Sequence, residues 1–197
     1  MHCLLKIVLP SLTWRLKTKE KVIYLTFDDG PNKILTPFIL KELREFDAKA
    51  TFFLLGKCVI KENALYQQIK KEGHTIGNHT FSHLNGWQTK NLSYFSDIER
   101  CNKIIKSDMF RPPYGRIKLS QIRYLKRKYK LIMWDVLSWD FDQRTSPEKC
   151  LEIVINKAKP GSILVFHENE QSSENVKYTL PKVLKHFKSR GYKFKAL

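Results

Sequence analysis

The chain has 197 residues, 42% of them hydrophobic, which is enough for one domain with a true core. Lys and Arg number 36 against 19 Asp and Glu, a net charge of +17. The basic residues are scattered rather than gathered into an arm, which argues against specific nucleic-acid recognition and for a solvated basic surface able to touch an anionic envelope polymer.

Met1 to Pro10 is apolar but lacks the charged lead and cleavage site of a secretory signal. No later stretch is long enough to span a bilayer. The expected location is therefore cytoplasmic or membrane-peripheral, and a monomer is assumed. Residues 1–20 read as an extension packed on or near a catalytic domain of residues 21–197, with Leu9 to Trp14 set against the core. Cys3, Cys58, Cys101 and Cys150 lie too far apart for a zinc knuckle or redox pair and read as free thiols.

The elements follow in order. Lys21 to Leu25 is a buried strand ending at Thr26-Phe27-Asp28-Asp29-Gly30-Pro31. Ile34 to Asp47 has the spacing of an amphipathic helix, and Ala50 to Leu55 is an apolar strand closed by Gly56. A helix over Val59 to Lys71 leads to a strand from His74 to His79. Ser93 to Ile105 is helical, Arg111 to Gly115 is not because of its prolines, and Leu119 to Tyr129 is a basic helix. Lys130 to Val136 is a strand, and Ser146-Pro147 starts a helix that ends before Pro160-Gly161. Ser162 to Phe166 is another buried strand, Thr179 to Ser189 a helix and Tyr192 to Phe194 a last strand. About seven strand–helix alternations predict a parallel α/β sheet or barrel.

Asp28, Asp29, His79, Arg111, His167 and either Asp135 or Asp140 all follow the carboxyl ends of predicted strands. In α/β folds that rim carries the active site. His79 and His83 are four apart, a spacing that on a helical turn lets two imidazoles share a metal. Asp29 as third ligand gives a site of nitrogen and oxygen donors that suits zinc, with cobalt, manganese, iron or nickel as alternatives. Such an ion lowers the pKa of water toward ~7 and polarises a carbonyl. Asp28 then reads as general base and Arg111 as its ion-pair partner. His167 reads as general acid, kept protonated by Asp140 or Asp135 against the effect of burial. A backbone N–H near Tyr114, in the stiff turn of Pro112 and Pro113, is placed to bind an oxyanion. His2, His74 and His186 have no such company and read as structural or exposed.

These segments, with Trp134 to Phe141 and Leu164 to His167, resemble the five ordered motifs of the polysaccharide deacetylases, the NodB-homology or carbohydrate esterase family 4 proteins. The resemblance runs from about Val22 to the carboxyl terminus. It implies a distorted (β/α) barrel with fewer than eight complete units, a metal on Asp29, His79 and His83, and deacetylation of an N-acetylated, less often O-acetylated, glycan such as peptidoglycan or a chitin-like polymer. It also implies catalytic Asp28, His167, Arg111 and Asp140, with Tyr114 and Pro113 at the oxyanion. Two departures stand out. Asp140 is followed by Phe141 instead of Trp, which leaves Trp139 or Phe141 as the aromatic wall, and His167 is followed by Glu168 where Asp is common. A deacylase of small cyclic amides, or a carbohydrate-binding protein that has lost catalysis, are the competing expectations.

Overall fold

The computed structural model describes residues 12–197. The expectations for His2, Cys3 and Met1 to Pro10 lie outside this range. Eight strands form one sheet: β1 (Val22–Asp28), β2 (Ala50–Leu54), β3 (Thr75–Asn78), β4 (Met109–Phe110), β5 (Lys130–Leu131), β6 (Val136–Leu137), β7 (Ile163–His167) and β8 (Lys193–Phe194). The order β5-β4-β3-β2-β1-β7-β6, with β8 on β1, is parallel throughout. Seven strands curl into a distorted (β/α) barrel, the form that the resemblance implied and one of the two that the alternation allowed. The helices between them are α1 (Leu35–Glu45), α2 (Gly56–Lys61), α3 (Asn63–Lys71), α4 (Asn91–Ile105), α5 (Leu119–Leu125), α6 (Pro147–Lys157) and α7 (Ser173–Lys188).

The strand period of two builds two cores, one on each face of the sheet. Ile23, Leu25 and Phe27 of β1, Phe52 and Leu54 of β2, and Leu164 and Phe166 of β7 face the helices. Phe27 stacks between Phe52 and Phe166 at centroid distances of 5.2 and 6.0 Å. Burying such a ring contributes about 1.5–3 kcal/mol. The alternate residues, Phe53, Ile163 and Val165, fill the barrel with Trp14, Met133 and Trp134. Thr26, Asp28 and His167 fall on that same inner face by parity, at its carboxyl end.

Residues 12–16 run from the end of β5 to the start of β7. Thr13 bridges Ile132 in parallel and Arg15 bridges Ser162 in antiparallel. Leu12 and Trp14 are buried, as expected for this segment. Cys58, Cys101 and Cys150 are free thiols. No helix among the described residues is long and apolar enough to cross a membrane.

Several boundaries differ from expectation. The helix over Val59 to Lys71 is two, α2 and α3, broken at Glu62, where ψ is 47°. The basic helix stops at Leu125, and the Lys128 and Tyr129 amides both fold back onto the Leu125 carbonyl. The strand over Lys130 to Val136 is interrupted because its middle carbonyls are taken elsewhere: Arg111 donates to Ile132 O and Met133 O, and the Met133 amide donates to Thr13 O. Helix α7 begins at Ser173 rather than Thr179, since Asn169 caps the preceding turn, and it carries Pro181 inside. Arg111 to Gly115 is extended and then makes one 3-10 turn at Pro113–Gly115, with Tyr114 at φ 60°.

Candidate functional site

Asp28 and Asp29 are adjacent, and strand alternation alone would send them to opposite faces. Asp29 prevents this with a φ of 80°. Both carboxylates consequently reach His79 Nε2, Asp28 Oδ2 at 4.0 Å and Asp29 Oδ1 at 3.6 Å. His83 Nε2 lies 3.2 Å from the same Asp29 oxygen.

The histidines do not sit on a helical turn, contrary to expectation. His79 to His83 is a loop with left-handed backbone at Thr80 (φ 70°) and His83 (φ 66°). The loop is held by side chains that sequence reasoning missed. Asn78 Oδ1 accepts from the Thr80 amide, Thr80 Oγ1 from the His83 amide, and Asp97 Oδ2 from the Phe81 and Ser82 amides at 2.8 and 2.9 Å. Asp97 sits on α4 beside a buried apolar row, where nothing in the sequence separates it from a solvated acid. Of the seven non-glycine residues with positive φ among the described residues, five (Asp29, Thr80, His83, Tyr114 and Trp139) surround this site. Strained backbone of this kind concentrates at functional sites.

Asp28 is buried and bonded. Arg111, fully buried and at 4.1 Å from the Phe53 ring, donates from Nη1 to Asp28 Oδ1 at 2.7 Å and to Thr26 Oγ1 at 2.7 Å. Burial lowers the Arg111 pKa, and the Asp28 charge opposes that shift. An unpaired arginine in such a place would cost several kcal/mol.

On the other side, His167 pairs with Asp28 in register across β1 and β7. Its Nδ1 lies 2.8 Å from Asp140 Oδ1, and its amide donates to Asp140 Oδ2 at 2.6 Å. Burial pulls His167 down, but the Asp140 charge and hydrogen bond, with Asp29 and Asp28 beyond, raise it to about 9. Ser138 Oγ donates to Asp140 Oδ1 at 2.9 Å. Asp135 is engaged elsewhere, accepting from Ser162 Oγ at 2.7 Å, so the choice between the two acids falls on Asp140. Phe141 packs edge-on against His167 at 4.8 Å, with Trp139 behind it at 5.7 Å. Pro113 is buried, and the exposed Tyr114 ring lies tilted against His83 at a centroid distance of 4.5 Å.

Asp29, His79 and His83 each offer one ligand atom, all within 4.8 Å of one another. His79 Nδ1 lies 2.7 Å from Arg111 O, and a carbonyl only accepts, so Nδ1 carries the proton and Nε2 keeps its lone pair toward Asp29. Burial pushes His79 down to about 4, so it is neutral at neutral pH. Burial also pushes the Asp29 carboxyl up, but neighbouring His83 and the charges of His167 and His79 outweigh it and hold Asp29 well below the usual carboxylate range. Asn169 Nδ2 donates to Asp29 Oδ2 at 2.9 Å, leaving the buried Oδ1 without a hydrogen-bond partner. An ionised oxygen and an imidazole lone pair facing each other repel unless a cation lies between them. The donor set therefore fits a divalent metal.

Glu168 turns away from this centre. Its amide donates to Asp28 O at 2.7 Å, and its carboxyl accepts from Thr36 Oγ1 at 2.6 Å. A Cβ on Gly30 would come within 2.1 Å of Glu168 Oε2. Burial, with Asp29 and Asp28 adding to it, raises Glu168 to about 8, so it is a neutral acid at neutral pH. His74 is structural, accepting from the Ala50 amide, and His186 is half-exposed beside Arg190.

The family model for polysaccharide deacetylase matches residues 15–132. A peptidoglycan-N-acetylglucosamine deacetylase of Bacillus cereus is 35% identical over 193 residues, spanning 93% of this chain and 89% of that protein. Among solved structures, the Bc1960 peptidoglycan N-acetylglucosamine deacetylase bound to a hydroxamate superposes with a TM-score of 0.91 at 28% identity, covering 98% of this chain and 94% of its own. BA3943, a CE4 family pseudoenzyme from Bacillus anthracis, superposes with a TM-score of 0.84 at 25% identity over 93% of this chain and 66% of its own.

Proposed function

The chain belongs to the polysaccharide deacetylase family, the NodB-homology proteins of carbohydrate esterase family 4, and from that membership we propose that it is a metal-dependent hydrolase removing acetyl groups from the N-acetylated sugars of a glycan such as peptidoglycan. The observation that carries this reading is the set of three converging ligand atoms of Asp29, His79 and His83 between two polarised pairs, Asp28–Arg111 and Asp140–His167. The catalytic unit is residues 21–197, with 1–20 an extension whose described part packs on it.

A divalent ion held by Asp29, His79 and His83, zinc first by donor type, would polarise the acetyl carbonyl and lower the pKa of water toward ~7. Asp28 takes the proton of the attacking water, its direction fixed by Arg111, which Thr26 Oγ1 anchors in turn. The Tyr114 amide, beside Pro113, adds a donor toward the oxyanion that forms on the carbonyl. As the C–N bond breaks, the His167 imidazolium gives its proton to the leaving nitrogen, so acetate and a free amine result. Trp139 and Phe141 wall the acetyl side. The basic surface favours contact with an anionic envelope polymer. A silent binding protein would be expected to lack a ligand or an acid, and all are in place in this sequence.

Acetate release over peptidoglycan fragments, chitin oligomers and acetylated xylan tests the reading. Release from the first two is expected, with Asp28→Asn keeping bound metal while losing most turnover, and His79→Ala losing the metal. A zinc-loaded chain that releases no acetate from any of them overturns it.

A further inference from the structure

Beyond the ring of Tyr114, two exposed side chains continue away from the site. The Arg116 guanidinium lies 5.8 Å from the Tyr114 ring and 5.5 Å from the Trp87 ring. Trp87 is 51% exposed and belongs to neither core. Its indole nevertheless has a fixed direction, because Nε1 donates to Ile117 O at 3.1 Å.

The loop that carries Trp87 is tied to the segment that carries Arg116. Gln121 Nε2 donates to Gly86 O at 2.9 Å and Lys118 Nζ to Thr89 O at 2.8 Å. A Cβ on Gly86 would come within 2.4 Å of Arg116 O, so only glycine permits this approach. A large aromatic ring held by its polar edge, half exposed and outside both cores, adds little to folding. It is what a binding surface needs, since little side-chain entropy remains to be lost on contact. No salt bridge among the described residues engages Arg116, so its charge is available to a ligand.

We propose that Trp87 and Arg116 form a subsite for the units of a glycan strand that lie beyond the sugar being deacetylated. The indole stacks on a sugar ring and the guanidinium takes a carboxylate carried by the strand. The subsite is continuous with the ligand histidines through Tyr114, and a carboxylate-bearing strand matches the positive surface. This inference rests on the glycan reading above and adds strand length and charge as determinants of recognition.

Calorimetric titration in an Asp28→Asn background, where most turnover is lost, with N-acetylglucosamine oligomers of two and six units and with a carboxylate-bearing peptidoglycan fragment, reads the subsite through binding. The six-unit oligomer should bind tighter than the two-unit one, and Trp87→Ala should shrink that ratio roughly tenfold, the effect of losing one aromatic anchor. Arg116→Gln should weaken the peptidoglycan fragment more than the neutral oligomer. In the unmutated chain the Trp87 indole N–H resonance should move with six units and stay with two. Equal affinity for both lengths, or an undiminished ratio in Trp87→Ala, overturns the subsite. Acetate release is scored separately: strand binding through Trp87 without any release refutes the hydrolase and keeps the subsite.

Discussion

Arg111 and His167 sit on opposite sides of the same pocket and solve opposite problems. Arg111 must stay charged where water is absent, and it does so by spending its donors on Asp28, Thr26 and two carbonyls. His167 must hold a proton against burial, and Asp140 supplies the charge that outweighs desolvation. Its folded pKa of about 9 lies above the ordinary 6.5. The stability linked to that proton is therefore fully present below about 6.5 and lost as pH rises through about 9. Asp140→Asn should move the alkaline limb of acetate release to lower pH, as measured by a pH–rate profile. A limb that stays in place would remove Asp140 from the role. Residue chemistry alone leaves Asp140 and Asp135 as alternatives, and the motif resemblance favours Asp140 with Asp135 as the fallback. The fold agrees, giving Asp135 to Ser162 and Asp140 to His167. Asn169 was missed: a loop asparagine after an active histidine carries no signal until its amide is seen on Asp29.

Among the elements, the legible ones were those with unbroken apolar runs. β1, β2 and β7 bury both faces, so their sequences are continuous and their ends are plain. The loop of residues 79–83 was misread as a helical turn because a spacing of four has the same look in both. Its real shape comes from left-handed backbone at Thr80 and His83, stabilised by hydrogen bonds within the loop and from neighbouring side chains. Asp97 supplies two of these from α4. Asp97→Ala should leave two amides unpaired, cost about 1–3 kcal/mol in denaturant unfolding, and weaken zinc binding without touching a ligand. Zinc affinity equal to that of the parent chain would show that the loop holds its shape without Asp97.

At the scale of the molecule, parity along each strand decides which residues meet. The inner face of the barrel carries Thr26, Asp28 and His167 at one end and an aromatic core beneath them. Residues 12–16 bridge the end of β5 and the start of β7; their burial was legible in the sequence, but their pairing with Ile132 and Ser162 was not. Trp14 is buried at 7% exposure within the inner core, so Trp14→Ala should cost about 3–5 kcal/mol of unfolding free energy. A loss below about 1 kcal/mol would mean that this segment is dispensable to the barrel. The whole assembly has one purpose in this account, to bring Asp29, His79 and His83 around a divalent ion beside Asp28 and His167. Acetate release from an N-acetylated peptidoglycan fragment, measured on the chain after chelation and again after zinc is restored, tests that directly. The account predicts loss of release on chelation and its return with zinc, whereas release that survives full removal of metal would contradict it.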